Sequence, residues 1–366
     1  MKHTGLLGHL KHQFQTHLMR SIPANRKKPA ENRQKLARLL ILSCLLAVVP
    51  AQAEFGWQTV TNDPPCQGLD ETALTALNGK LYLIGGRGIN PVEEYSPATG
   101  GWKKLSAPPM EMHHFQAVAV NGRIAVAGAM TGRFPHEKPL ANIWWFDPGS
   151  NIWTKGEEIP ADRRRGGGGT VVSGEKLYLV CGITNGHWNG FVSWADALDL
   201  KSGQWTRLPD APHPRDHVQA ALVDGKIVLA GGRTTYGEIM KVFDLTVPEV
   251  DVFDLSGGKW STLPNNIPTA RAGAMTAERD SEVFIIGGES MAQRQAHCEV
   301  EALNLATGKW KSLPMLNQGC HGTGAAFIGD RLYIASGVGN RGGAPKLKIM
   351  QKLIWPGPSK PHETSP

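Results

Sequence analysis

From Trp57 onward, short apolar stretches alternate with turn residues, and the alternation repeats about every fifty positions. Tryptophan marks the period, as Trp57, Trp102, Trp153, Trp205, Trp260 and Trp310. Five of these sit seven residues after an apolar or aromatic position: Tyr95, Phe146, Leu198, Phe253 and Leu303. The segments between, such as Phe253-Asp254-Leu255, run on through Gly, Ser, Asn or Thr, which is the pattern of strand, tight turn, strand.

A second mark falls between the tryptophans. An apolar strand ends in two small residues: Gly85-Gly86, Gly128-Ala129, Cys181-Gly182, Gly231-Gly232, Gly287-Gly288 and Ser336-Gly337. Glycine there lets the chain leave the strand with positive φ. Hairpin turns such as Asn78-Gly79, Asn121-Gly122 and Asp224-Gly225 lie upstream. Before them the chain is rich in Ala and Gly (Ala117-Val118-Ala119, Gly166 to Gly169, Ala220-Ala221), which suits the innermost strand of a tapering ring. Six periods of four strands predict an all-β, six-bladed β-propeller with four antiparallel strands per blade.

The period, the small-residue pair and the spacing from aromatic residue to tryptophan resemble the kelch repeat family, over essentially the whole chain after the leader. Trp57 precedes any complete repeat, and the last repeat lacks a trailing tryptophan. Both facts are explained if residues 55–60 supply the outer strand of the last blade and close the ring. The expected blades are 67–110, 111–160, 161–212, 213–267, 268–317, and 318–355 with 54–62. In length and blade count the chain is similar to bacterial sialic-acid mutarotases. Galactose oxidases share the scaffold and hold copper with two tyrosines and two histidines. Here Tyr82, Tyr178 and Tyr333 fall in strands and Tyr95 is the repeat aromatic, so only Tyr236 is left and oxidase chemistry is not implied.

The start of the chain changes the charge picture. A basic segment ending at Lys35 and Arg38 precedes an apolar run of 11 residues, Leu39 to Val49, then Pro50 and Ala51-Gln52-Ala53. This is the pattern of a secretory signal over residues 1–53. The run is shorter than the roughly 20 residues that span a bilayer, so no membrane anchor is expected after cleavage. The remaining domain covers 54–356, with a Pro-rich, disordered tail over 357–366, in the periplasm or outside the cell. Residues 1–53 carry nine of the 39 Lys and Arg and one of the 32 acids, leaving 30 bases against 31 acids. The basic pI belongs to the leader, so a nucleic-acid partner is not indicated.

In four-stranded blades the connection between blades and the loop after the small-residue pair emerge on one face, around the channel mouth. Aligned repeats put Arg165, Arg215, Arg271 and Met112 in equivalent positions, with Leu69 and Cys320 in the other two blades. Near them lie His113, His114, Asp216, His217 and His321, and the loops add Arg87, His136, His187, Trp188, Arg233, Tyr236, Glu289, His297 and Arg341. Arginine forks bind carboxylates, Trp188 and Tyr236 can stack on a sugar ring, and histidine moves protons near neutral pH. The expectation is a small, acidic carbohydrate at the mouth, bound or anomerised by Arg165, Arg215, Arg271, Arg233, His113, His114, His217, His321, Trp188, Tyr236 and Glu289. The competing role for each arginine is to tie neighbouring blades together through backbone carbonyls and acids. A non-enzymatic surface for a protein or peptide is the alternative function. A metal-dependent enzyme built on His297, Cys298, Cys320 and His321 is the second, although a disulfide would equally account for those cysteines. No cofactor is called for. Gly337-Val338-Gly339-Asn340-Arg341-Gly342 matches G-x-G-x-x-G, but Gly343 and Pro345 lead into a strand rather than a helix, which argues against a dinucleotide.

Overall fold

A computed structural model of the protein describes residues 55–354. The leader expected over 1–53, the tail expected over 357–366 and Trp355 lie outside the described residues. The described chain enters at β1 (Trp57–Val60), an outer strand whose blade is completed only at the far end of the sequence. Blade one is β2 (Thr72–Leu77), β3 (Lys80–Gly85), β4 (Glu93–Ser96) and β5 (Gly101–Lys104). Blade two is β6 (Ala117–Val120), β7 (Arg123–Val126), β10 (Asn142–Asp147) and β11 (Ile152–Glu158); β8 (Met130–Thr131) and β9 (Lys138–Pro139) form a ribbon between its second and third strands. Blade three is β12 (Gly169–Ser173), β13 (Lys176–Asn185), β14 (Asn189–Asp199) and β15 (Trp205–Leu208). Blade four is β16 (Ala220–Val223), β17 (Lys226–Ala230), β18 (Val250–Asp254) and β19 (Lys259–Thr262). Blade five is β20 (Met275–Arg279), β21 (Glu282–Ile286), β22 (Val300–Asn304) and β23 (Lys309–Ser312). Blade six is β24 (Ala325–Ile328), β25 (Arg331–Ala335), β26 (Met350–Ile354) and β1.

The seven-residue spacing is a cross-strand pair. Tyr95 faces Trp102, Phe146 faces Trp153, Leu198 faces Trp205, Phe253 faces Trp260 and Leu303 faces Trp310. The Tyr95–Trp102 and Phe253–Trp260 rings lie 5.1 Å apart, within the range where aromatic pairs attract. Three of these tryptophans also donate from Nε1 to a carbonyl of the preceding blade: Trp57 to Pro314 at 3.0 Å, Trp153 to Ser106 at 3.2 Å and Trp260 to Pro209 at 2.7 Å. β1 pairs antiparallel with β26 from Trp57↔Leu353 to Val60↔Met350, and Trp57 is buried among residues of blades five and six. The strand that begins the fold is thus held by the strand that ends it.

The small-residue pairs meet a steric demand. A Cβ on Gly287 would stand 2.2 Å from the Cys320 carbonyl, and its φ is +60°. Cys181 (φ 56°) and Ser336 (φ 64°) take the same backbone with a side chain, so the turn survives the substitution. Blade two differs, because Ala129 is outside the left-handed region and the chain runs on into β8.

Each blade then begins with one residue held in the left-handed region. These are Glu71, His114, Gly167, His217, Gly273 and Gly322, with φ between 49° and 66°. Backbone hydrogen bonds link them in a closed collar. The His114 amide donates to the Glu71 carbonyl at 3.1 Å, Gly167 to His114 at 2.7 Å and Val218 to Gly167 at 3.3 Å. Gly273 donates to His217 at 2.8 Å, Gly322 to Gly273 at 3.0 Å and Thr72 to Gly322 at 3.0 Å.

Arg165, Arg215 and Arg271 precede the collar by two residues and point into their own blades. All three are 0% exposed. Arg165 binds Asp196 at 2.7 Å and the Cys181 and Leu179 carbonyls at 2.9 and 2.7 Å. Arg215 binds Asp251 at 2.6 Å and the Gly231 and Glu249 carbonyls at 2.9 Å. Arg271 binds Glu301 at 2.6 Å and the Gly287 and Ile285 carbonyls at 2.5 and 2.9 Å. The acids sit on β14, β18 and β22, so each guanidinium ties three strands of one blade and has no fork left for a ligand. The expectation that these arginines line the mouth is corrected, because carbonyls and a carboxylate of the same blade take up each guanidinium. Blade six makes the same connection without charge, Gln351 exchanging hydrogen bonds with the Gln318 backbone at 3.0 and 2.8 Å.

Beyond the collar the inner strands enclose a channel of about 350 Å³. Its lining is mostly Ala, Val, Leu, Thr and Gln, with one ionisable side chain, Glu278. That carboxyl meets water in the channel but is ringed by protein, and the lost hydration pushes its pKa up to about 7.

Two outcomes follow from these packed charges. Arg215→Ala leaves Asp251 buried without its guanidinium and is expected to cost about 3–5 kcal/mol in urea unfolding. A loss under about 1 kcal/mol would remove the tie from the account. Glu278 keeps its proton in the folded state between about pH 4.5 and 7, where the unfolded chain has released it, so it lowers stability as pH rises through that window. Glu278→Gln is therefore expected to raise Tm at pH 8 and leave it unchanged at pH 4. Parallel melting curves at both pH values contradict the assignment.

Candidate functional site

On the loop side of the collar lies a cup of about 480 Å³, lined by Asp70, Glu71, Arg87, Glu111, Gly132, Arg133, Phe134, His187, Phe243, Glu289, Gly342 and Gly343. Its size is within the usual range of small-molecule sites. The loops that form it are clipped together by acids. Glu111 accepts from the Gly88 and Gly132 amides at 2.7 Å each and from Thr131 at 3.1 Å. Arg87 bonds Glu137 at 2.5 Å, and Lys346 reaches Asp70 at 2.7 Å. Arg233 bonds Glu289 at 2.5 Å, and Glu289 also accepts the Gly342 amide at 2.8 Å. Arg133 is exposed at the rim.

The carboxyls of the cup are driven in opposite directions. Burial works to raise Glu289, but His321, Arg233 and the Gly342 amide outweigh it and hold its pKa at about 2. Burial dominates at Glu71, which is raised despite the nearby His321. Asp216, enclosed beneath the loops, is pushed up to about 6 by burial against the pull of Arg233 and Thr235. Glu137 is also buried, yet His187 and Arg87 hold it far below the usual carboxylate range.

Histidines from three blades meet beside the collar. His114 and His217 occupy collar positions in blades two and four. Between them blade three has Gly167, and His187 comes from that blade's own β13–β14 hairpin. Their ligand atoms all lie within 4.8 Å of one another, the one such converging group of His, Cys, Asp or Glu found among the described residues. His187 Nδ1 faces Glu137 at 3.0 Å, and His217 Nδ1 is in short contact with Asp216. His187 Nε2 and His217 Nε2 face each other at 3.1 Å. His114 Nδ1 faces His113 Nδ1 at 2.6 Å, while its buried Nε2 has no hydrogen-bond partner. Burial lowers the pKa of His114 and His217 well below that of free imidazole, and neighbouring positive charge adds to the effect. His113 is held at about 4, chiefly by burial.

Of the residues expected at the mouth, Arg87, His187 and Glu289 line the cup. His113, His114, His217, His321 and Arg233 are buried around it. Trp188 and Tyr236 are outside the cup lining. Trp188 packs on His136 with ring centroids 4.8 Å apart, at the end of the hairpin, and Tyr236 faces Phe191 at 6.1 Å. His297 is occupied by Ser290 at 2.8 Å and Glu299 at 3.0 Å, and His321 Nε2 by the Asn340 and Gly342 carbonyls at 2.8 and 3.0 Å. Cys66, Cys181, Cys298 and Cys320 are all free thiols, so no disulfide joins them. Burial pushes Cys320 up to about 12, which removes it as a thiolate at neutral pH. Sequence reasoning missed Glu71, Glu111, Glu137, Phe134 and Phe243, and it placed His187 on the mouth without grouping it. The recoverable signal was the position two after the aligned arginine, which reads Glu71, His114, Gly167, His217, Gly273, Gly322.

The family model for the KLHDC2/KLHL20/DRC7 kelch-repeats domain matches residues 163–337. The chain is similar to the kelch-like protein terF of Aspergillus terreus, 25% identical over 319 residues, covering 81% of this chain and 66% of that protein. It is similar to the kelch domain-containing protein 8B of Homo sapiens, 28% identical over 179 residues, covering 46% of this chain and 47% of that protein. The chain thus spans only part of the length of these relatives. Among solved structures, that of YjhT matches with a TM-score of 0.68 at 16% identity, covering 81% of this chain and 98% of the other, a likeness of fold. Six blades in a closed ring make the chain a β-propeller, and its repeats are similar to the kelch repeats of these relatives.

Proposed function

We propose that the protein binds a small, sugar-like polyhydroxylated molecule in the mouth cup. The observation that carries this reading is the makeup of the cup: Asp70, Glu71, Glu111 and Glu289 beside the rings of Phe134 and Phe243 in one cavity of about 480 Å³. Carboxylates accept hydroxyl protons, and an aromatic face covers the apolar side of a sugar ring. Arg87 and Arg233 are already paired with Glu137 and Glu289, so an acidic sugar has Arg133 as its remaining cationic anchor. Interconversion of anomers, as by a mutarotase or epimerase, needs only an acid and a base beside the anomeric carbon, which the cup carboxyls supply. Export through the 1–53 leader, with the cup then in the periplasm or outside the cell, is part of the same proposal.

A second reading has its own support. Ile89, Phe134, Ile239, Met240 and Met291 are exposed on the loops that surround the mouth. An apolar rim of this kind suits an extended peptide or a partner protein.

Calorimetry with neutral hexoses, hexuronic acids and apolar peptides separates the two. Phe134→Ala, at an exposed site, is expected to weaken sugar binding about tenfold, the worth of roughly 1.4 kcal/mol of ring contact. Arg133→Ala is expected to weaken only the hexuronic acids. Peptide binding with no heat from any sugar at millimolar concentration would overturn the carbohydrate reading in favour of the second.

A further inference from the structure

We propose that His114, His187 and His217 bind a first-row divalent transition metal of the zinc class through their Nε2 atoms, at the point where the cup meets the channel. The inference is independent of what the cup binds.

Geometry makes the case. His187 and His217 each direct Nδ1 at a carboxylate, Glu137 and Asp216, so each donates there and turns the lone pair of Nε2 inward. Those two lone pairs face each other at 3.1 Å. They repel unless a proton or a cation lies between them. Two nitrogens roughly 2.0–2.1 Å from one tetrahedral zinc ion stand about 3.4 Å apart, close to this separation. The third imidazole, His114, belongs to the same group, and its buried Nε2 makes no hydrogen bond, with Glu71 Oε2 3.5 Å away. A buried nitrogen without a hydrogen bond is costly, and a cation would relieve it. The carboxylates behind the rings are the outer partners that fix the tautomer and orientation of metal-binding imidazoles.

Backbone evidence is consistent with this. Three of the six collar positions are glycine, so the ring needs no side chain there. His114 and His217 nevertheless hold φ of 55° and 49°, a region that strains an L-residue with a side chain. Gly167 stands between them in the collar, and a Cβ there would come within 3.5 Å of the His217 amide nitrogen. The fourth direction is bounded by Glu71, whose Oε2 is 3.5 Å from His114 Nε2, and by the cup. Three imidazoles without thiolate suit zinc, cobalt, nickel, copper or ferrous iron rather than magnesium or calcium. Three imidazole ligands with Glu71 on the remaining side leave one position of a tetrahedral ion for a carboxylate oxygen or a water.

The test uses purified, untagged protein stripped with a chelator and titrated with Co²⁺ or Zn²⁺ alone. The expected result is one Co²⁺ per chain, with visible absorption of a nitrogen-ligated site of low coordination number, and a Tm that rises with Zn²⁺ concentration. His187→Gln and His217→Asn are each expected to abolish the absorption, asparagine being tolerated in the left-handed backbone. Glu137→Gln is expected to weaken Co²⁺ binding about tenfold, the usual effect of removing an outer partner. His297→Ala, at a histidine already satisfied by Ser290 and Glu299, should change nothing. Should His217→Asn fail to fold, His187→Gln and Glu137→Gln decide the matter, because both lie off the collar. No Co²⁺ spectrum, or one that persists in His187→Gln, overturns the proposal.

Discussion

The collar of backbone hydrogen bonds at the channel mouth is the constraint on which the rest of the molecule depends. Each blade hands one bond to the next, so the start of every repeat is fixed relative to its neighbour to within hydrogen-bond tolerance. The backbone must turn through the left-handed region to do this, which favours glycine, and three blades use it. The other three carry Glu71, His114 and His217, and those side chains stand beside the cup. A ring that could be built from six glycines instead holds functional groups of three blades in one place. The outer strand β1 serves the same closure from the opposite edge, since its pairing with β26 completes blade six.

Charge is divided between two layers. Inside the blades, Arg165, Arg215 and Arg271 are saturated by strand carbonyls and by Asp196, Asp251 and Glu301, and they carry blade geometry. A buried pair of this kind is a weak source of net stability but a strong penalty when half is removed. At the mouth Arg87 and Arg233 are locked to Glu137 and Glu289 and Lys346 to Asp70, while Arg133 stands exposed at the rim. An acidic ligand would therefore meet mostly carboxylates there. This favours a hydroxyl-rich neutral molecule or a cation over an anion as the natural occupant.

The sequence displayed the scaffold because scaffold signals are local. The seven-residue step from Phe253 to Trp260 is one hairpin, and the pair Gly287-Gly288 is one turn, so both survive as short patterns repeated six times. Even the closure by Trp57 was visible, as a repeat mark without a repeat. The site was legible only in part, because its geometry depends on direction as well as location. Arg215 and His217 are two residues apart and both belong to the mouth in sequence. One turns into its blade and the other joins the collar. His187 was locatable on its loop, but its approach to His217 depends on the length of β13 and β14, which no short pattern reports. Likewise the pairing of His297 with Ser290 and Glu299, which removes it from metal chemistry, is visible only in three dimensions.

The collar and the blade-three hairpin bring three imidazoles together, with ligand nitrogens within 4.8 Å of one another. A crystal structure grown with Zn²⁺, with anomalous data collected at the zinc edge, measures this directly. The account predicts one anomalous peak bounded by His114, His187 and His217, with Glu137 and Asp216 on the far nitrogens of His187 and His217. Rings turned away from one another, or zinc found only at surface side chains, would contradict it.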